Sequence, residues 1–403
     1  MADGEIAWGG FWGYGSWALG FLEHARGRLA DLGRQGLMRS PRTVESAQGP
    51  EFVVDGRRAL CLCSNNYLGF ADHPDIKAAA SRALAEFGFG ACASRHITGS
   101  FSVHVAAERR IARYVDLPRA LFFATGYAAN VGVLQGLADS QTLILSDALN
   151  HASLIDGCRL SGAAVRVYRH CDVAHVAELL REERANYASA LLVTESLFSM
   201  DGDFAPVVAL RELCDAMDVA LVVDEAHALG VIGPAGRGLC AREQVRPDVM
   251  TGTFGKAFGA SGAFVAGPEP VVRLVENRAR SYVFSTAPSP AVPAAAIAAI
   301  DLVEHADRER ERVLHHARSL RDGLWALGYQ VLDAEAQILP VLLGSAHAAT
   351  ELSARLLELG VFVHAIRPPT VAPGTSRLRI TPMASHEPQQ IARALEAFRD
   401  ARP

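Results

Sequence analysis

Two segments near the middle of the chain, ALVVDEAH and TGTFGKAFG, bring Asp224, His227 and Lys256 within about thirty residues of one another. These are the residue types of carbonyl chemistry. A lysine amine forms a Schiff base with an aldehyde, and a carboxylate can hold an aromatic ring nitrogen protonated so that the ring accepts electrons. Lys256 also stands out by composition. Two of the 39 basic residues are lysines, Lys77 and Lys256, and the rest are arginines, which keep their proton and form no Schiff base. Lys77 falls in HPDIKAAASRALAEF, an amphipathic helix where a solvated lysine is ordinary. Lys256 sits among small residues and aromatics, where a solvated lysine is not expected.

FFATGYAAN adds an anion site: a strand, a Thr-Gly-Tyr turn, then a helix whose first amides point at an anion. Asn150-His151 follows the next strand, LILSD, and places His151 at the same edge, where its ring can stack on a flat cofactor. His227 can reach the side of a phenolic oxygen. Taken singly, Asp224 reads as a strand end capping a helix and His151 as a helix cap. Together with Lys256, the set meets the needs of pyridoxal phosphate: a lysine, an acid for the ring nitrogen, donors for the phosphate and a cover for the ring. Two other motifs fail on context. GFGACA, from Gly88, has dinucleotide-loop spacing but follows a helix, not a strand. VVDEAH resembles the acidic strand of a nucleotide-hydrolysing motor, yet no G-x-x-x-x-G-K-[ST] loop precedes it.

The elements that must position these residues alternate helix and strand from about residue 75 to 285. The apolar runs ALFFA, TLILS, ALLVTE and ALVVDE read as strands of a mainly parallel sheet covered by helices on both faces. Sites in such sheets lie outside the carboxyl ends of the strands, and here those ends carry Thr125-Gly126, Asp147, Glu195 and Asp224. Before this region, residues 21 to 38 have helical spacing, and VESAQGPEFVVDGRRALCLCSNN reads as two extended segments joined by an Asp-Gly turn. Trp8, Trp12 and Trp17, interleaved with glycines, read as an arm docking on the body or on a second subunit. After the prolines at 288 to 293 come a helix and a smaller α+β region. The expected division is an arm and helix over 1–58, a large cofactor-binding domain over 59–288 and a small domain over 289–403.

Composition narrows the class. The chain has 403 residues, half of them apolar, and a net charge of −5. No Lys/Arg block is present, so a nucleic-acid partner is not expected. The apolar run from Ala291 to Ile300 is too short to span a bilayer, and the start of the chain lacks the pattern of a secretory signal. A cytoplasmic protein is expected, with no membrane partner. Seven scattered cysteines lack zinc spacing. They read as reduced thiols, with no metal site.

Several motifs occur here in one order: SNNYLG, G-x-x-x-S-R-x-x-x-G, TGYAAN, NHASL, ESLFSMDGD, VDEAH, G-x-x-G-R-G and T-x-GKAFG. From about residue 37 to 400 the chain thereby resembles the α-oxoamine synthases. The resemblance implies an α/β, aspartate-aminotransferase-like fold, with a large domain around a mainly parallel sheet and a smaller C-terminal α+β domain. It implies pyridoxal phosphate attached at Lys256, Asp224 on the ring nitrogen and His151 stacked over the ring. It also implies Ser199 and His227 near the phenolic oxygen, and Gly126, Tyr127 and Thr253 around the phosphate. Arg377 and Arg379 alternate in SRLRI, so in a strand both point to one face and one of them can clamp a carboxylate. By resemblance that residue is Arg379, helped by Asn65, with Arg39 and Thr370 towards an acyl substrate. A homodimer is implied too, in which YVFSTAPSP supplies Ser285 or Thr286 to the partner's cofactor phosphate.

GKAFGASGAF and AIRPPTVAPGTSRLRIT are similar to one branch of that family. Its reaction condenses L-alanine with a pimeloyl thioester, on acyl carrier protein or coenzyme A, to 8-amino-7-oxononanoate for biotin biosynthesis. A relative using another amino acid or acyl group stays open, and an aminotransferase of the same fold is a weaker rival. A catalytically dead scaffold is disfavoured by the presence of Lys256.

Overall fold

In the computed structural model, residues 18–332 and 335–402 are described, and the tryptophan-rich arm with Trp8, Trp12 and Trp17 lies outside them. By packing, the chain divides between Thr43 and Val44 into two units. The first holds helix α1 (Leu19–Arg34), which stops short of the periodic stretch because Gly36 takes a left-handed φ of 65°.

The second unit starts with the hairpin. Strands β1 (Glu51–Val54) and β2 (Arg57–Cys61) pair antiparallel, with Val54 opposite Arg57. Asp55 and Gly56 both have positive φ, 48° and 72°, the geometry that matches a two-residue turn to the twist of its strands. Each apolar run read as a strand is one. β3 (Arg119–Phe123), β4 (Thr142–Asp147), β5 (Ala164–Tyr168), β6 (Ser189–Glu195), β7 (Ala220–Asp224), β8 (Val249–Thr253) and β9 (Ala263–Gly267) form one sheet in the order β3-β9-β8-β7-β6-β4-β5. From β8 to β5 every pairing is parallel, and β9 runs antiparallel between β8 and β3. The parallel core strands are buried on both faces, as their near-continuous Val, Leu and Ile content requires.

Helices α2 (Pro74–Phe87), α3 (Ser102–Tyr114), α4 (Gly126–Leu137) and α5 (Ala152–Ser161) lie between the early strands. The last two start directly behind β3 and β4, so their N-termini open at the carboxyl edge of the sheet. Downstream, β10 (Leu339–Gly344), β12 (Ala365–Ile366) and β13 (Ser376–Ile380) form an antiparallel sheet, while β11 (Val361–Phe362) joins β2 in parallel. This second sheet has its own apolar core, with Leu320, Leu339, Leu356, Leu378 and Phe398 fully buried. Among the described residues no helix is long and apolar enough to cross a membrane.

The loop after β8 is fixed by its aromatics. Phe254 stacks on Phe122 of β3 at 5.7 Å and meets Phe258 edge-on at 5.2 Å, and both loop phenylalanines are fully buried. Gly259, with φ of 63°, lies so close to the main chain of Phe70 that a Cβ there would come within 2.3 Å of its carbonyl carbon. Anchored on both sides, the loop presents Lys256 inward.

Candidate active site

A cavity opens at the carboxyl ends of β6, β7 and β8, lined by Gly126, Tyr127, His151, Asp224, His227, Thr253 and Lys256. Residues spread over 130 positions of sequence meet there because parallel strands deliver their ends to one edge. Thr125 caps α4, its Oγ1 accepting from the N–H of Ala128 at 3.1 Å. The free amides of that helix start therefore face the cavity beside Thr253.

Asp224 and His151 share one hydrogen-bond network. Asn130 Nδ2 donates to Asp224 Oδ2 at 2.7 Å and to Ser153 Oγ at 2.9 Å, while its own Oδ1 accepts from Thr251 Oγ1 at 2.7 Å. The Ser153 hydroxyl lies 2.7 Å from His151 Nδ1, which also accepts from the Ser153 N–H at 3.2 Å. Nδ1 is thus the acceptor and the ring is neutral. Burial agrees, pulling the His151 pKa down against the opposing charge of Asp224. Asn130 and Ser153 were not expected as site residues. Asn130 stands four positions after Gly126, one helical turn, and that spacing is the signal that could have found it.

Lys256 is half-buried, and desolvation pulls its pKa down to about 8 against the carboxylates of Asp224 and Glu195. Glu195 was legible as a strand end without a role. In the sheet register it lies directly opposite Asp224, it lines the cavity, and its Oε1 has no hydrogen-bond partner. Burial first, and then the neighbouring Asp224 charge, push its pKa up to about 8. Its folded pKa is thus above the ordinary value, so its contribution to stability is present at low pH and lost as pH rises through about 8. In cofactor-free protein, Glu195→Gln should therefore melt higher than wild type at about pH 8.5, with the gap closing towards about pH 5. Parallel melting curves across that range would show that Glu195 does not titrate there.

The two arginines of β13 are both buried but take different partners. Arg377 NH1 donates to the Asp201 carboxylate at 2.6 Å and to the Met200 carbonyl at 3.0 Å. Arg379 donates from Nε to the Ser199 carbonyl at 2.5 Å, from NH1 to Asn65 Oδ1 at 3.1 Å and from NH2 to Tyr67 OH at 3.1 Å. Tyr67 OH in turn lies 2.7 Å from His227 Nδ1, so Arg379 reaches the site and Arg377 serves the loop. Asn65 and Lys256 also line a second cavity of about 480 Å³, which makes Lys256 common to both spaces. The structure does not bring every expected residue to them. Ser199 takes part through its carbonyl, and its side chain lines neither cavity. Thr370 is exposed. Ser285 and Thr286 lie outside both cavities, Ser285 Oγ donating to the Thr286 carbonyl at 3.3 Å. Arg39 belongs to the first unit.

Comparison with known proteins places this geometry. The family model for aminotransferase class I and II matches residues 57–398. An 8-amino-7-oxononanoate synthase of Geobacter sulfurreducens is 46% identical over 376 residues, covering 92% of this chain and 96% of that protein. The chain belongs to the class I and II aminotransferase family, in its α-oxoamine synthase branch. A synthase of the same name from Nitrosococcus oceani is 43% identical and covers 90% of this chain and 97% of its own length. Among solved structures, a serine palmitoyltransferase from S. paucimobilis with bound PLP-myriocin aldimine superposes with a TM-score of 0.89 at 31% identity. That match covers 95% of this chain and 98% of the other.

This α-oxoamine synthase holds a further buried acid, next to Asp224 in the chain, and the sequence alone does not separate their roles. Glu225 points away from the cavity. Its carboxylate accepts from Ser196 Oγ at 2.6 Å and from the N–H groups of Leu239 and Cys240 at 3.0 and 2.7 Å. A Cβ at Gly238 would sit 2.6 Å from that carboxylate, which is a physical reason for glycine at the end of G-x-x-G-R-G. Glu225 pins a loop, and Asp224 faces the cavity.

Proposed function

We propose that this chain condenses L-alanine with a pimeloyl thioester, releasing carbon dioxide and the free thiol, to give 8-amino-7-oxononanoate with pyridoxal phosphate as cofactor. The observation that carries this reading is the amine of Lys256 sharing one cavity with Asp224, in a chain 46% identical to a named synthase of that product. The residues present fit the cofactor. The start of α4 offers amide donors for a phosphate beside Thr253, whose hydroxyl here donates to the Gly262 carbonyl at 3.0 Å, Asp224 is held ready by Asn130, and Glu195 keeps a buried oxygen without a protein partner in the same cavity.

Bound there, pyridoxal phosphate supplies an aldehyde that takes up amines and a ring that delocalises negative charge from an adjacent carbon. The protein does the rest. With the cofactor bound, Gly126, Tyr127 and Thr253 would hold the phosphate, His227 and, by resemblance, Ser199 would serve the phenolic-oxygen side, and neutral His151 would cover the ring. Asp224 holds a proton on the ring nitrogen, the charge state in which the ring draws electrons most strongly. Lys256 Nζ takes the Cα proton and later returns it; in the cofactor-free protein burial already pulls its pKa down to about 8, towards the range in which a base exchanges protons at low cost. Arg379, steadied by Asn65, binds the amino-acid carboxylate.

Arg379→Gln is expected to raise the KM for L-alanine by roughly 100-fold, since two charge-assisted hydrogen bonds are lost. The KM for the thioester should change little, and an unchanged alanine KM would remove Arg379 from this role.

The working unit in this reading is a homodimer in the cytoplasm, with Ser285 or Thr286 completing the partner's phosphate site. Exposed Phe89, Ile97, Tyr127 and Phe284 give such an interface apolar surface. Light scattering during turnover tests this, and an active monomer would refute it. The reaction itself is tested by incubating purified protein with L-alanine and pimeloyl-CoA and identifying the product by mass spectrometry. Glycine or serine outcompeting alanine at equal concentration would point to another branch of the family.

A further inference from the structure

We propose that His170 is a positioning residue for the amino-acid carboxylate, tying the end of β4 to the 196–205 loop that holds the arginines of β13. The inference rests on the reading in which Arg379 binds that carboxylate.

The ring is bonded on both sides. His170 Nδ1 donates to Asp147 Oδ1 at 2.8 Å and Nε2 donates to Asp203 Oδ2 at 2.8 Å. Asp147 ends β4 with its carboxylate fully buried, and it also accepts from the N–H groups of Leu149 and Cys171 at 2.8 and 2.9 Å. It is a fixed point at the sheet edge, four residues before His151. Asp203 is the opposite kind of residue, since it sits on a turn with no regular structure of its own. That turn is closed by Gly202 N–H to the Phe198 carbonyl at 2.9 Å and by Phe198 N–H to the Asp203 carbonyl at 3.0 Å. The Phe198 ring meets His170 edge-on at 4.4 Å.

The tip of the turn does the holding. The carbonyls of Ser199 and Met200 and the carboxylate of Asp201 are the acceptors that fix Arg379 and Arg377. A shift of the turn therefore moves the carbonyl on which Arg379 Nε is seated at 2.5 Å. Burial pulls the His170 pKa down, but the two carboxylates outweigh it and push it up to about 12. The ring is thus a standing cation that bridges two anions. Cys171 Sγ lies 3.6 and 3.8 Å from the ring nitrogens and, with Asp147, completes a trio of metal-capable donors. With both ring nitrogens donating to carboxylates, neither has a lone pair for an ion, so the clamp is favoured over a metal site.

The test compares wild type, His170→Gln and Asp203→Asn as holoenzymes, with the cofactor absorbance band reporting loading and fold. L-alanine binding by calorimetry and the KM for alanine should each weaken by roughly three- to thirtyfold in both variants, the range by which network residues shift a distant site. The thioester KM and kcat should change far less. The double variant should be no weaker than the worse single one, because both substitutions remove the charge pairing from the same contact. Asp203 is two-fifths exposed, so Asp203→Asn serves if His170→Gln folds poorly. Unchanged alanine affinity in loaded Asp203→Asn overturns the inference while leaving the functional reading intact. So does stoichiometric zinc in wild type that is lost in His170→Gln. Wild type that binds no amino acid overturns both, and that result distinguishes the two failures.

Discussion

Lys256→Ala protein is expected to fold, to bind pyridoxal phosphate without covalent attachment, and to turn over slower by on the order of 10⁴-fold or more. No second lysine can substitute. Lys77 is more than half exposed and paired with Asp72 at 2.8 Å on the surface helix α2. Removing a group that both carries the cofactor and moves the Cα proton disables two steps at once, so the loss should exceed that of any neighbour. Borohydride treatment of wild type followed by peptide mapping gives a direct readout, with the cofactor expected on residue 256 alone. Label on Lys77, or an alanine variant with near-normal turnover, would overturn the assignment.

Asp224→Asn should be the second most damaging change, with kcat lower by roughly 10² to 10⁴-fold. The side chain keeps its shape but loses its charge, so nothing holds the ring nitrogen protonated. Its new NH₂ group must also face a donor, either Asn130 Nδ2 or the Ala226 N–H, which now give hydrogen bonds at 2.7 and 2.9 Å. A second effect follows from charge alone. Asp224 raises the pKa of Lys256 and of Glu195, so in cofactor-free Asp224→Asn both should titrate lower than in wild type. NMR titration of Lys256 would show this. A Lys256 pKa unchanged by the substitution would mean that the two groups do not interact across the cavity.

The site divides sharply in how it could be known. Local order is enough for the strands, the Asp-Gly hairpin, the Thr125-capped turn that opens α4 at Gly126 and the placing of Asp224 and His151 at strand ends. Each of those depends on side-chain periodicity and on turn residues within a few positions. The two-lysine composition singled out Lys256 without any structure, because arginine cannot do its chemistry. Asn130 lay within reach of a helical-spacing argument and was missed.

Other parts depend on contacts that no local pattern encodes. Arg377 and Arg379 are equivalent in SRLRI, both buried and on one face. Their roles part only because Asp201 lies under one while Asn65, 314 residues away in sequence, and Tyr67 lie beside the other. Glu195 and Asp224 look alike as strand ends, and only the parallel register sets them opposite each other so that burial and like charge push the pKa of Glu195 up. His170 carries no motif signal, and its two carboxylates come from a strand end and from a turn after another strand. Residue type and short-range spacing were enough for the elements, for the choice of Lys256 as the candidate amine and for the cofactor class. Which arginine, acid and histidine stand at the cavity, and with which partners, is set by tertiary packing. Hydrogen bonding and charge coupling fall off within a few ångströms, and only the packed chain brings those groups that close.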